Sequence, residues 1–169
     1  LAGTLAAAWA ILTGQASVLY TFYPPLQAHP AFYIGLALVV VGSWGRCAVM
    51  IRSYRAWTRA HPGTPVPLAM HGMMATVILW LLSTPGVAVE VVGLLIPWSL
   101  GWTKTVDPIL ARTLFWYFGH PLVYFWLLPA YVAWYAVLPR QAGGRLFSDP
   151  LGRVVFVLPS FRPGAEDPR

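Results

Sequence analysis

Three long apolar segments constrain this chain more than anything else in it: Phe32 to Ile51, Leu68 to Ser99 and Ile109 to Leu138. A helix that crosses a bilayer needs about 20 mostly apolar residues, and each segment meets that length. The second and third are long enough to tilt or to project beyond the lipid. Leu5 to Thr13 reads as the end of an earlier span, and Val154 to Leu158 as the start of a later one. The expected fold is therefore all-α: a polytopic transmembrane helical bundle with about three complete spans and partial spans at both ends.

Composition agrees. The chain is 58% hydrophobic and 9% charged, with nine Trp, which leaves too little polar surface for an ordinary soluble domain. Its single cysteine, Cys47, has no internal partner, and no Cys or His pair has zinc-site spacing, so helix packing must hold the fold. The first residue is Leu1 and its apolar run has no basic flank or cleavage site, so it does not read as a signal peptide. We expect Leu1 to be internal to a longer protein. The links between segments hold turn formers: Tyr23-Pro24-Pro25, His61-Pro62-Gly63 through Pro67, Pro97 and Gly143-Gly144.

Orientation follows from Lys and Arg, because loops on the cytoplasmic side carry the positive excess. Arg46, Arg52, Arg55 and Arg59 gather at the end of the first full span, and Arg140, Arg145 and Arg153 follow the third. The 20–31 loop has no Lys or Arg, and the 99–108 loop has only Lys104. The basic loops 52–66 and 139–153 are expected on the cytoplasmic side. Topology thus accounts for the net charge of +6, and no separate basic face argues for nucleic acid. The third span then runs from outside to inside.

Within that span, Trp116 to Tyr135 reads WYFGHPLVYFWLLPAYVAWY, one histidine and three tyrosines in otherwise apolar text. Ionisable groups inside membranes are costly, and they usually face a bundle interior and serve a site or an ion path. His120 lies 11 residues beyond Ile109, roughly 16 Å along the axis, so a surface position is not expected for it. Tyr124 at i+4 puts its ring beside the imidazole on the same helix face. Tyr131 and Tyr135 fall within roughly 20° of the direction of Tyr124 at about 100° per residue. The three phenols form a stripe toward the inner side that, with a few waters, could pass protons to His120 and Tyr124. Pro129 should kink the helix between them and free carbonyls for water.

Plainer readings stand beside these. A lone histidine in a membrane helix is often a packing residue that bonds a neighbour, a bond that contributes ~1 kcal/mol. Tyr20, Tyr23, Tyr33 and in part Tyr135 read as interfacial belt residues. Trp116, Phe118, Phe125 and Trp126 read as lipid or core packing. His29 and His61 are loop residues, and His71 an interfacial or packing group. Glu90 is the only acid inside a span. It should be protonated or paired, as a proton relay or against a neighbour such as an amide. Gln15 is a loop residue, and Asp107-Pro108 and Asp149-Pro150 have N-cap chemistry.

The run GHPLVY at Gly119 to Tyr124, preceded by Trp116 and followed by Pro129, resembles the active-site helix of subunit I of the haem-copper respiratory oxidases. The text YTFYPPLQAHPAFY, LLIPWSLGW, VDPILARTLFW and LPRQAGGRLFSDP extends the likeness over roughly 16–158, and it resembles the B-type cytochrome c oxidases in particular. In A-type members a glutamate commonly follows the His-Pro pair, where Leu122 stands here. The resemblance implies that His120 binds the active-site copper and is covalently joined to Tyr124. It also implies a single proton input through Tyr135 and Tyr131 to Tyr124, in agreement with the stripe. The implied activity is reduction of oxygen to water with electrons from cytochrome c, coupled to proton translocation. The implied setting is the inner (cytoplasmic) membrane of a prokaryote, among lipid, with oxidase subunit II as partner.

The chain also departs from that family. Its other two copper ligands come from an adjacent His-His pair on the next span, its haem ligands from an earlier and a later span, and none is present here. After Leu158 the text turns to PSFRPGAEDPR, which cannot continue a spanning helix. Residues 1–158 are expected to be part of one subunit I domain, and 159–169 a non-native tail from a truncated or frame-shifted reading frame. Such a fragment should hold neither haem nor a complete copper site and should be inactive alone. Three competing readings are a nitric oxide reductase of the same family, part of a proton-coupled transporter, and a purely structural membrane subunit. The reductases generally lack a tyrosine at the Tyr124 position, a transporter predicts inverted repeats that are not seen, and a structural subunit has no use for the polar stripe.

Overall fold

The computed structural model describes residues 1–146 and 148–157. Among the described residues, three helices are long and apolar enough to cross a membrane: Pro30–Ala60, Leu68–Ser99 and Pro108–Gln141. At 31, 32 and 34 residues they run about 46 to 51 Å, well beyond a hydrocarbon core of about 30 Å. In chain order the elements are α1 (Ala2–Leu12), α2 (Pro30–Ala60), α3 (Leu68–Val89), a π-helical segment (Glu90–Leu95), α4 (Ile96–Ser99), α5 (Pro108–Gln141) and α6 (Asp149–Val157).

The middle span is thus one 68–99 rod with a register change near its end. Pro97 brings no N–H to the ladder, and its ring would press on the carbonyl of residue 93 in a regular α-helix. The π turn absorbs the misfit: the amide of Ile96 donates to the carbonyl of Val91, five residues back.

Helix starts follow the sequence chemistry. Asp107 caps α5, its Oδ1 accepting from the amides of Ile109 at 2.8 Å and Leu110 at 3.4 Å, with Pro108 at the first helical position. Asp149 does not cap α6 as expected. The Ser148 hydroxyl accepts from Leu151 N at 3.2 Å, and Asp149 sits inside the first turn, paired with Arg153 at 2.5 Å. The shorter Ser side chain, one residue earlier, reaches the free amide first. The terminal segment therefore begins at Asp149 rather than Val154, while Leu158 and the 159–169 tail lie outside the described residues.

Two contacts fix the packing. The first helix lies on α2 through Gly3 and Gly35, where a Cβ on either would come 2.6 Å from the other's carbonyl oxygen. Small residues let membrane helices approach this closely, where dispersion between backbones does the holding. In the second, α3 lies along α5, and a Cβ on Gly86 would meet Tyr117 at 2.6 Å and the Leu114 carbonyl at 2.9 Å. Polar bonds brace α2 to α3, from Trp44 to Thr84 and from Trp80 to Ser43.

The basic 52–66 stretch is not a loop throughout. Helix α2 continues to Ala60, so Arg52, Arg55 and Arg59 ride its last turns. His61 closes it, donating from Nδ1 to the carbonyl of Trp57 at 3.0 Å and stacking on that indole. At the opposite end, Gln27 donates to the Trp98 carbonyl at 3.0 Å and His29 N to the Gln15 carbonyl at 2.8 Å, tying the α1–α2 link to the end of α4. His29 also caps α2, its Nδ1 accepting from Ala31 N at 3.2 Å. Both histidines thus do structural work at helix ends.

Candidate functional site

The rings of His120 and Tyr124 meet edge to face, with centroids 5.2 Å apart. Nothing more than unbroken helix between them is needed: α5 is helical from Pro108 to Gln141 although Pro121, Pro129 and Pro139 lie inside it, and i+4 places one ring over the other. The contact expected from spacing is present.

The location of the pair differs from the expectation. His120 is exposed, and Tyr124 retains 49% of its surface. The face of α5 that α3 and its neighbours cover carries Ala111, Phe115, Gly119 and Val132. His120 is one residue on from Gly119, about 100° around the axis, and so points away from that packed seam. Its imidazole borders an open groove of about 300 Å³ lined by Leu79, Leu82, Ser83, Trp116 and Tyr117. Among the described residues no element covers the His120–Tyr124 face. Sequence could place His120 deep along the helix, yet depth alone does not say which side of the helix is covered.

The two other tyrosines are half-buried. The Tyr131 ring lies 5.6 Å from Trp134, and that of Tyr135 lies edge-on to Phe156 of α6 at 5.7 Å. Seven residues separate Tyr124 from Tyr131, about 10 Å of rise, which exceeds the reach of a hydrogen bond. A proton crossing that gap needs an intermediate. Pro129 supplies an anchor for one, since its missing N–H leaves the Phe125 carbonyl without its usual donor.

Around the site the large aromatics pack as expected. Trp80 takes Phe118 at 5.6 Å and Phe125 at 4.3 Å between ring centroids, and Trp126 is 65% exposed. Tyr33 corrects its expected role. It is fully buried, its hydroxyl accepting from Ala28 N at 3.1 Å, and belongs to the core formed by α1, α2 and the π segment. Three positions into α2 it lies at the level of a belt residue, but α1 and the Ala28 loop close over it. Tyr20, at 81% exposure, does stand free. Glu90 is also fully buried, and neither carboxyl oxygen has a hydrogen-bond partner among the described residues. The Nε2 of His71 is buried without a partner too. The tryptophan braces and the core role of Tyr33 were missed from sequence, because periodicity marks a face but not the donor on a neighbouring helix.

Metal binding has one candidate donor here. His120 makes no hydrogen bond among the described residues and opens on the groove, so an imidazole nitrogen is free to bind a metal, a role that suits copper. No group of three or more His, Cys, Asp or Glu able to hold a metal occurs among the described residues. His120 fits one position of a ligand set.

Fold and site together define a multi-pass helical membrane protein with an intramembrane histidine–tyrosine pair. Residues 1–161 match the family model described as Cytochrome C and Quinol oxidase polypeptide I, and the chain belongs to that family. It is 47% identical over 156 residues to the cytochrome c oxidase subunit 1 of Thermus thermophilus, covering 92% of this chain and 28% of that protein. It is 31% identical over 150 residues to the Thermostichus vulcanus subunit of the same name, covering 80% of this chain and 27% of that one. Among solved structures it is similar to a heme-copper terminal oxidase dimer seen by cryo-EM, with a TM-score of 0.89, 51% identity, and coverage of 93% of this chain and 28% of that chain. The chain therefore spans a little over a quarter of the length of these relatives. Haem and copper are the cofactors implied by the family.

Proposed function

We propose that this chain is part of the catalytic subunit I of a B-type terminal oxidase, which reduces oxygen to water with electrons from cytochrome c and couples the reaction to proton translocation. The observation that carries the reading is the His120–Tyr124 ring contact at 5.2 Å on a membrane-spanning helix. In the whole protein it would lie in the inner membrane of a prokaryote, with the arginine-bearing end of α2 and the 139–153 stretch on the cytoplasmic side. Its partners there would be subunit II, cytochrome c and lipid.

Each residue has a task. His120 offers one imidazole to copper, and the remaining copper ligands and the haem ligands come from outside this chain. When bound, the haem–copper pair binds oxygen and supplies reducing electrons. Tyr124 holds a proton on its phenol beside His120, where it can be released with an electron as the O–O bond breaks. A covalent tie between the rings, implied by the family, would fix that phenol in place. Tyr131 and Tyr135 lie on the same helix face toward the Arg140 end and return the proton, with water on the Phe125 carbonyl bridging the longer gap.

The test is an oxidised and dithionite-reduced optical spectrum of the full-length protein, with oxygen consumption, for the native sequence and for Tyr124→Phe. Haem bands in both, with turnover only in the native protein, are the expected result. An absence of haem, or normal oxygen consumption by the variant, would overturn the reading.

A further inference from the structure

Helix α2 carries a line of side chains that no described element covers. Ile34, Leu38, Val41, Gly45 and Ala48 are exposed, and Arg52, Arg55 and Arg59 continue the line to the end of the helix, exposed as well. Steps of four and three alternate along it, so at about 100° per residue the whole line keeps within a sector of about 100°. Met50 and Tyr54, which share a groove with Met70 and Met73 of α3, point about 160° from the direction of Arg52. The line therefore lies on the back of the helix, away from its packed side.

Its two halves differ in chemistry. From Leu38 to Ala48 the line is apolar for about 15 Å of rise, the depth of one leaflet of a core of about 30 Å. Gly45 lies in open space, with nothing within 4 Å of a carbon added to it, so the surface is lowest just before the arginines. Arg52 to Arg59 then cover about 10 Å, within the length by which α2 outruns the core. The three guanidiniums have no anion of the protein's own among the described residues. The acids there are Glu90, buried in the core, Asp107, on the α5 cap, and Asp149, paired with Arg153. The bias of Lys and Arg toward one side of the membrane accounts for arginine at this end of α2, but it counts charges and assigns them no face. Three on one line, at the end of an apolar run, match an amphiphile with an anionic head.

A second copy of the chain does not suit the line. Copies inserted the same way would set Arg52, Arg55 and Arg59 against themselves across a two-fold seam, and copies inserted oppositely would put one basic end on the wrong side. We propose that the back of α2 is the seat of an anionic phospholipid, its phosphate held by Arg52, Arg55 and Arg59 and an acyl chain laid along Leu38 to Ala48. Guanidinium suits the head, since its planar fork meets phosphate oxygens two at a time. The inference needs α2 to cross the membrane and does not rest on the oxidase reading.

Native mass spectrometry of the delipidated full-length protein, titrated with phosphatidylglycerol or with phosphatidylcholine, decides it. The comparison is a variant in which Arg52→Ser with Ser53→Arg, and Arg59→Ala with Ala60→Arg, leave only Arg55 on the line at unchanged charge. Lipid sites elsewhere in the protein add equally to both, so the readout is the difference. The native protein should hold one phosphatidylglycerol more than the variant, at least tenfold more tightly than it holds phosphatidylcholine there. Equal phosphatidylglycerol binding by the two proteins, or a native protein that takes either lipid alike, would overturn the proposal. So would a dimer that the variant dissociates without loss of lipid. Gly45→Leu leaves every arginine in place and raises the surface under the chain. It should weaken the same site at least threefold, and native affinity in this variant would remove the acyl seat and with it the proposal, even if the rearranged variant fails to accumulate.

Discussion

The indole of Trp44 donates to the hydroxyl of Thr84 at 2.7 Å across the α2–α3 interface, and Thr84 passes its own proton to the Trp80 carbonyl at 2.8 Å. Trp80 in turn sends its indole back to Ser43 of α2 at 2.7 Å. Two adjacent residues of α2 and two residues one turn apart on α3 therefore brace the helices in both directions. In an apolar surrounding an N–H without an acceptor is expensive, so such pairs fix the rotation of one helix against the other.

Thr84→Val keeps the shape and removes the acceptor, stranding the Trp44 N–H where Thr84 itself is fully buried. The full-length protein should lose about 1–2 kcal/mol of stability. Unfolding in a denaturing detergent series would measure it, and a midpoint equal to the native one would deny the brace any energetic role.

Gly35→Ala should separate α1 from α2. The new Cβ would stand 2.6 Å from the Gly3 carbonyl and 2.7 Å from the Ala7 amide, both backbone atoms that cannot rotate away. Overpacking of this kind costs about 1–3 kcal/mol. Gly42→Ala, on the same helix with nothing within 4 Å of its added carbon, is the control and should leave stability unchanged. Equal thermal unfolding of the two variants would mean that the close approach of α1 is not needed.

Asp107→Ala should release the start of α5. Two amides, Ile109 and Leu110, lose the carboxylate that caps them, for about 1 kcal/mol. Hydrogen exchange at those amides should speed by about fivefold, a ratio that corresponds to about 1 kcal/mol. Asp107→Asn, which retains a side-chain oxygen, should exchange at nearly the native rate, and equally fast exchange in both would point away from capping.

Much of this was readable in the sequence because membranes impose simple rules. Span 68–99 has its observed ends, and the proline-laden 109–138 segment differs from α5 by one residue at its start and three at its end. The His120–Tyr124 contact follows from i+4 spacing alone. What periodicity could not supply was the identity of neighbours. It put Tyr33 in an interfacial belt when α1 closes over it, and the depth of His120 along its helix could not say which side the described helices leave open. The Ser148 cap was missed for a more local reason, since Ser-Asp-Pro offers two cap residues and only geometry chooses between them.

The tyrosine stripe leads to the sharpest functional expectation. Tyr135 is the member nearest the Arg140 end of α5, and its ring rests edge-on against Phe156 at 5.7 Å. Tyr135→Phe keeps that packing and deletes only the hydroxyl, so the fold and the haem spectra of the full-length enzyme should stay as they are. If protons enter along this face, their uptake must then cross from the helix end to Tyr131 without a relay. We expect uptake to slow about tenfold, equivalent to about 1.4 kcal/mol on the barrier, while oxygen binding keeps its native rate. Flow-flash kinetics with a pH dye separate the two steps. Slowing of both would indicate damage to the site itself, and native proton uptake would take Tyr135 out of the path and leave its phenol as an inner-end packing group.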